Sequence, residues 1–166
     1  MKVHYSNEPF VEPIHKGIFL AGPTPRTKDV KSWRPEVIDL FEKWGFDGTI
    51  VVPERNFEVK CNYDDQVEWE RTGLTESKAI LFWVPRELFT MPAFTTNVEF
   101  GYWLAKSPER CFYGRPDDSC KNRYLDWLYS KETTQSIFNN MEALARYVGH
   151  VVNGTQSDWL NKKDLR

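Results

Sequence analysis

The sequence predicts an α/β fold, a parallel sheet covered on both faces by helices. Two observations carry this. Short, wholly apolar runs alternate with stretches whose apolar residues recur at helical spacing, and most of the apolar runs are closed by proline or glycine. These runs have no polar face to offer water, so they suit strands buried on both sides. A chain of 166 residues, 40% of them hydrophobic, fits one domain able to build its own core.

The elements follow in order. Residues 1–16 are polar and proline-bearing and read as an irregular N-terminal extension. Gly17-Ile18-Phe19-Leu20-Ala21 is the first strand, broken at Gly22-Pro23-Thr24-Pro25-Arg26 because two prolines forbid continued pairing. Ser32 caps a helix bearing Val37, Ile38, Phe41 and Trp44, and Gly45 stops it. Thr49-Ile50-Val51-Val52 is the next strand, ended by Pro53, with a polar loop over residues 54–63. Asp64 or Asp65 caps a second helix through Val67 and Leu74. Ala79-Ile80-Leu81-Phe82-Trp83-Val84 is the strongest strand, closed by Pro85. After a long loop, Thr95 or Thr96 opens a third helix with Phe100, Trp103 and Leu104 on one side. Cys111-Phe112-Tyr113 is a further strand ended by Gly114, and a short helix holds Tyr124, Leu125 and Leu128. Ser136-Ile137-Phe138 is a last strand, and Asn139 with Glu142 makes a capping box for a helix to about Val152. The domain is then 17–152, followed by a polar C-terminal tail, 153–166.

Composition excludes several classes. Lys plus Arg is 22 and Asp plus Glu is 24, a net charge of −2, which lacks the basic face a nucleic-acid polymer demands. No apolar run approaches the roughly 20 residues of a membrane helix. Met1 to Pro13 has no apolar segment of the signal-peptide kind, so a cytoplasmic protein with no membrane partner is expected. Cys61, Cys111 and Cys120, odd in number and widely spaced, read as reduced thiols rather than a disulfide framework or zinc site. His4, His15 and His150 do not follow strands and have no metal-ligand spacing, so no metal site is expected.

In doubly wound sheets ligands sit at the carboxyl ends of the strands. That selects four places. At Gly22-Pro23-Thr24-Pro25-Arg26 glycine lets a ligand approach the backbone and Arg26 can meet an anion, although the spacing matches no phosphate loop. On Gln66-Val67-Glu68-Trp69-Glu70 the two glutamates point about 200° apart, so only one faces a pocket. At Thr95-Thr96-Asn97-Val98-Glu99-Phe100-Gly101, Glu99 reads either as the second half of a capping box with Thr96 or as a carboxylate nucleophile kept ionised by the helix N-terminus. Gly114-Arg115-Pro116-Asp117-Asp118 reads as a charged turn.

Taken together, Ile18-Phe19-Leu20-Ala21-Gly22-Pro23, Gln66-Val67-Glu68-Trp69-Glu70, Ile80-Leu81-Phe82-Trp83 and Thr95-Thr96-Asn97-Val98-Glu99-Phe100-Gly101 resemble the nucleoside 2-deoxyribosyltransferase superfamily, closest to its nucleoside 2-deoxyribosyltransferase-like branch, over about residues 17–150. The resemblance implies a flavodoxin-like, doubly wound, five-stranded parallel sheet. It implies cleavage or transfer at the N-glycosidic bond of a (deoxy)nucleoside or nucleotide, with Glu99 as nucleophile and Glu70 as the assisting acid, where the family usually carries aspartate. A second family aspartate, in the loop before the nucleophile, has no counterpart; Ala93 and Phe94 stand there. Phe19, Gly22, Pro23, Gln66, Trp69, Thr96 and Asn97 are the substrate-binding residues it suggests. No cofactor is required. The expected partner is a small nucleoside or nucleotide, and a homo-oligomer with sites near a subunit interface is the family habit. Alternatives are a hydrolase that releases free base from a nucleoside 5′-monophosphate, and a non-catalytic nucleotide-binding module.

The aromatic share, 15%, divides accordingly. Trp44, Phe82 and Phe112 read as core. Phe19, Trp69, Trp83 and Phe94 fall at strand ends or beside the acids, where a base can stack. Trp127 and Trp159 are assigned to an oligomer interface.

Overall fold

The computed structural model describes residues 1–6, 8–55 and 62–154. Five parallel strands form one sheet: β1 (Lys2–Ser6), β2 (Ile18–Ala21), β3 (Thr49–Arg55), β4 (Ala79–Trp83) and β5 (Cys111–Gly114), in the order β1-β3-β2-β4-β5. Helices α1 (Arg34–Lys43), α2 (Tyr63–Glu76), α3 (Phe94–Lys106), α4 (Arg123–Glu132) and α5 (Met141–Asn153) cover it. This is the flavodoxin-like α/β architecture the sequence predicts.

The alternation of side chains along each strand builds two cores. Ile18, Leu20, Ile50, Val52, Leu81 and Phe112 face α1 and α5 through Val37, Phe41, Leu144 and Val148. Phe19, Ala21, Val51, Ile80, Phe82 and Tyr113 face α2, α3 and α4 through Leu74, Phe100, Trp103, Leu125 and Tyr129. The chain steps from β2 to β3 on one side and then crosses to β4 on the other. The crevice between the loops after β2 and β4 is therefore the switch point where doubly wound sheets take ligands.

Several expectations change. Lys2–Ser6, read as part of an irregular extension, is the edge strand β1, paired with β3. One edge strand needs little apolar character, and Val3 and Tyr5 pack against the core while Lys2 stays exposed. Pro53 lies within β3 rather than ending it. The β2 ladder stops at Val51 and the β1 register shifts between Tyr5 and Ser6, so the missing proline N–H interrupts no regular pairing. Ser136–Phe138 contributes only one bridge, Phe138 to Gly114. Finally, α3 begins at Phe94 after Ala93 in the left-handed conformation (φ 60°), with no side-chain cap. Thr96 thus sits inside the first turn and Glu99 beyond it, so the two form no capping box. The caps of α2 and α5 come from Asn62, ahead of the expected Asp64 or Asp65, and from Asn140, one residue after the expected Asn139. The tail beyond Gly154, with Trp159, and Cys61 lie outside the described residues.

Gly22, at φ 151°, ends β2 where a Cβ would strike the Trp83 carbonyl and come within 2.8 Å of the Trp33 ring. Gly22→Ala is expected to lower stability by about 2–4 kcal/mol, the sum of backbone strain and overpacking. Thermal denaturation of the variant beside the parent checks this; an unchanged midpoint would contradict it.

Candidate active site

A cleft of about 940 Å³ opens at the carboxyl ends of β2, β3 and β4. Its lining comes from the loop after β2 (Gly22 to Lys28), the end of β3 (Pro53, Glu54), α2 (Gln66, Glu70) and the start of α3 (Ala93 to Thr96, and Glu99).

Beneath the β2 loop lies Arg34, the first residue of α1 and only 1% exposed. Its Nε donates to the Leu20 carbonyl (3.0 Å), Nη2 to the Gly22 carbonyl (2.6 Å), and Nη1 to Thr24 Oγ1 (3.1 Å) and Glu54 Oε1 (2.5 Å). Glu54 also accepts from Ser32 Oγ at 2.6 Å, and Ser32 Oγ in turn accepts from the Arg34 backbone N–H. Trp33 Nε1 donates to the Pro23 carbonyl at 3.1 Å. Carbonyls that the prolines leave without strand partners are thereby satisfied by two side chains at the start of α1. Burial draws the Arg34 guanidinium below its usual value, opposed chiefly by Glu54.

Glu70 and Glu99 reach the cleft from different helices. Glu68, two residues before Glu70, is exposed, so the second helix presents one acid as its geometry requires. Glu70 accepts from Gln66 Nε2 at 3.0 Å; burial raises its pKa, against Gln66 and Arg34, which lower it. Glu99 is pushed from the ordinary 4.5 up to about 7, first by burial and then by the Glu70 charge, with Arg34 opposing. The sequence suggests a carboxylate held ionised by the helix N-terminus; in the fold, Glu99 stands past the first turn and desolvation wins. Burial thus raises both carboxyls of the cleft, and the charge of Glu70 adds to the shift of Glu99.

Of the residues singled out from sequence, Gly22, Pro23, Gln66, Glu70, Thr96 and Glu99 come together in the cleft lining. Phe19, Trp69 and Asn97 do not line it. Phe19 is core, against Gly73. The Trp69 ring stacks on Phe10 at 5.0 Å and its Nε1 donates to the Glu8 carbonyl. Asn97 Oδ1 accepts from Arg86. Arg86 itself is buried, and Arg115 makes a two-pronged pair with Asp126 (2.8 and 3.0 Å). Trp83 is buried in the core, Phe94 is exposed at the cleft edge, and Trp127 is exposed on α4. Arg34 and Glu54 escape sequence reasoning. The arginine sits between a tryptophan and a proline with no motif around it, and the glutamate follows a proline in a polar stretch.

The model of the nucleoside 2-deoxyribosyltransferase-like family matches residues 15–117, a span holding every residue of the cleft, and the chain belongs to that family. No curated protein matches it. Among the described residues no helix is long and apolar enough to cross a membrane, and no cluster of His, Cys, Asp and Glu could hold a metal ion.

The raised pKa of Glu99 has a consequence for stability. In the unfolded chain this glutamate ionises near 4.5, in the fold near 7. Between these values the folded state binds the extra proton, so stability falls as pH rises, by roughly 3 kcal/mol in all. Glu99→Gln removes that penalty. It is expected to raise the melting temperature at pH 8 relative to the parent and to leave it nearly unchanged at pH 4.5, which thermal scans at the two pH values will test.

Proposed function

We propose that the protein cleaves or transfers at the N-glycosidic bond of a (deoxy)nucleoside or nucleotide by a retaining double displacement. One observation carries the reading. Two carboxyls with raised pKa values, Glu99 and Glu70, line one cleft at the switch point of a chain of this family. Glu99 attacks C1′ as the carboxylate and the C1′–N bond breaks. The bonding pair leaves with the base, which takes the proton carried by Glu70, and a glycosyl ester forms on Glu99. Either a second base or water then attacks C1′ and releases Glu99. An acceptor base makes the enzyme a transferase, and water makes it a hydrolase.

The competent form holds one proton between the two carboxyls, on Glu70 when Glu99 attacks. Arg34, which lowers both pKa values, favours loss of the other proton. Above the upper value, about 7, both are ionised and the departing base meets no acid.

Glu99→Gln and Glu99→Ala are expected to lose at least about 1,000-fold in turnover while remaining folded. Chromatography of a deoxynucleoside, or its monophosphate, with and without a second free base will separate the two outcomes; full activity in either variant would end the reading.

The pH dependence follows from the shared proton. The kcat/KM is expected to fall about tenfold per pH unit above about 7. Glu70→Gln should retain a small rate without that alkaline decline. A parent rate still climbing at pH 9 would remove Glu70 as the acid.

A further inference from the structure

Glu54, at the end of β3, uses only one of its two oxygens within the fold. Oε1 accepts from Arg34 Nη1 and from the Ser32 hydroxyl. Oε2 accepts from no described residue. It is not one of the buried polar atoms left without a partner, and Glu54 lines the cleft with 19% of its side chain exposed, so Oε2 opens into the cleft. The ion pair fixes it there. Arg34 is 1% exposed and tied to the Leu20 and Gly22 carbonyls, so the carboxylate docked on it cannot swing away without stranding a buried cation. A fixed carboxylate oxygen is an acceptor only. It calls for an N–H or O–H on whatever enters the cleft, and it repels a carbonyl oxygen set against it.

We propose that Glu54 reads the base: its free oxygen accepts a hydrogen bond from an exocyclic amino group, so the cleft takes an amino-bearing base in preference to one with a carbonyl in that place. This rests on the reading of Glu99 as the nucleophile, and the topology agrees with it. Strands β3 and β4 flank β2. Glu54 ends β3 and Glu99 rides on α3, the helix after β4, so the two stand on opposite sides of the loop after β2. Two strand spacings are about 10 Å. A nucleophile approaches C1′ from the face opposite the leaving nitrogen, so the base points away from Glu99 and across the cleft. A base with its amino group reaches about 6 Å beyond C1′, and the hydrogen bond adds about 3 Å. A sugar hydroxyl reaches only about 3.5 Å and lies off that line, so the base bridges the span and the sugar does not. Uracil and hypoxanthine, which carry a carbonyl where cytosine and adenine carry the amino group, would press its oxygen against a carboxylate that cannot turn away. Their ring N–H stands next to that carbonyl, so a contact through it keeps the repulsion.

The test uses two pairs that exchange amino for oxo, deoxycytidine with deoxyuridine and deoxyadenosine with deoxyinosine, each as the nucleoside and as its 5′-monophosphate. Within the pair that turns over, kcat/KM for the amino member is expected to exceed that of the oxo member by about 30-fold in the parent. In Glu54→Gln the amide oxygen keeps the Arg34 and Ser32 bonds while the amide nitrogen replaces Oε2, which turns an acceptor into a donor. The ratio is then expected to fall to about one or below. Structural damage alone would lower both members alike and leave the ratio standing. Equal kcat/KM within the pair in the parent, or an unchanged ratio in a variant shown by circular dichroism to be folded, would overturn the proposal. Should the variant not fold, the parent ratio decides by itself. Calorimetry on the parent separates binding from turnover. Tighter binding of the amino member, with no base released from any compound, would uphold the role of Glu54 and end the glycosidic reading. Base release from amino and oxo members alike would do the opposite.

Discussion

The buried guanidinium of Arg34 holds the cleft in shape. The loop after β2 turns away from the sheet at Gly22 and carries two prolines, so its carbonyls cannot be satisfied by a neighbouring strand. Arg34 reaches them from the next element in the chain and binds carbonyls at Leu20 and Gly22 together with Thr24 and Glu54. Removing such a charge from water costs several kcal/mol, and only an ion pair with additional well-made hydrogen bonds offsets it. Here the offset doubles as architecture: the bonds that stabilise the buried cation also join the ends of β2 and β3 to the start of α1.

The same charge governs the chemistry next to it. Burial pushes Glu70 and Glu99 upward, and Glu70 pushes Glu99 further; Arg34 pulls against both. Without a fixed positive charge, two desolvated carboxyls would hold their protons well above neutrality. With it, Glu99 comes down to about 7. The cost falls on stability, since an ionised Glu99 is destabilising in this fold. Sites that use carboxyl chemistry commonly carry such a local penalty.

The cleft is polarised along α3. Its uncapped start, with Ala93 in a left-handed conformation, faces a loop of cations, while Glu99 lies deeper along the helix. A side-chain cap at that start would occupy the N–H groups and close one end of the cleft. The exposed Phe94 supports the Arg26 guanidinium from below, so an aromatic residue that looks misplaced as core has a use at the rim.

Much of this was legible in the chain alone, because it depends on local order. The apolar runs at Ile18–Ala21, Thr49–Val52, Ala79–Trp83 and Cys111–Tyr113 mark four of the five strands, and proline and glycine mark where a doubly wound sheet presents its loops. Strand-end position drew attention to Glu68, Glu70 and Glu99, and the family resemblance chose Glu70 and Glu99 among their readings. Other features depended on contacts distant in sequence. Lys2–Ser6 becomes a strand only because β3 offers it an edge, and Ser136–Phe138 fails to become one, making a single bridge to Gly114. Phe19, Trp69 and Asn97 turn away because core packing and the Glu8 and Arg86 contacts claim them. Arg34 and Glu54, twenty residues apart, carry no signal until the fold buries one beside the other. The sequence by itself determined four of the five strands and their alternation with helices. Only the tertiary structure decided which side chains lose water together, and desolvation sets both the charge state of Glu99 and the partner of Arg34.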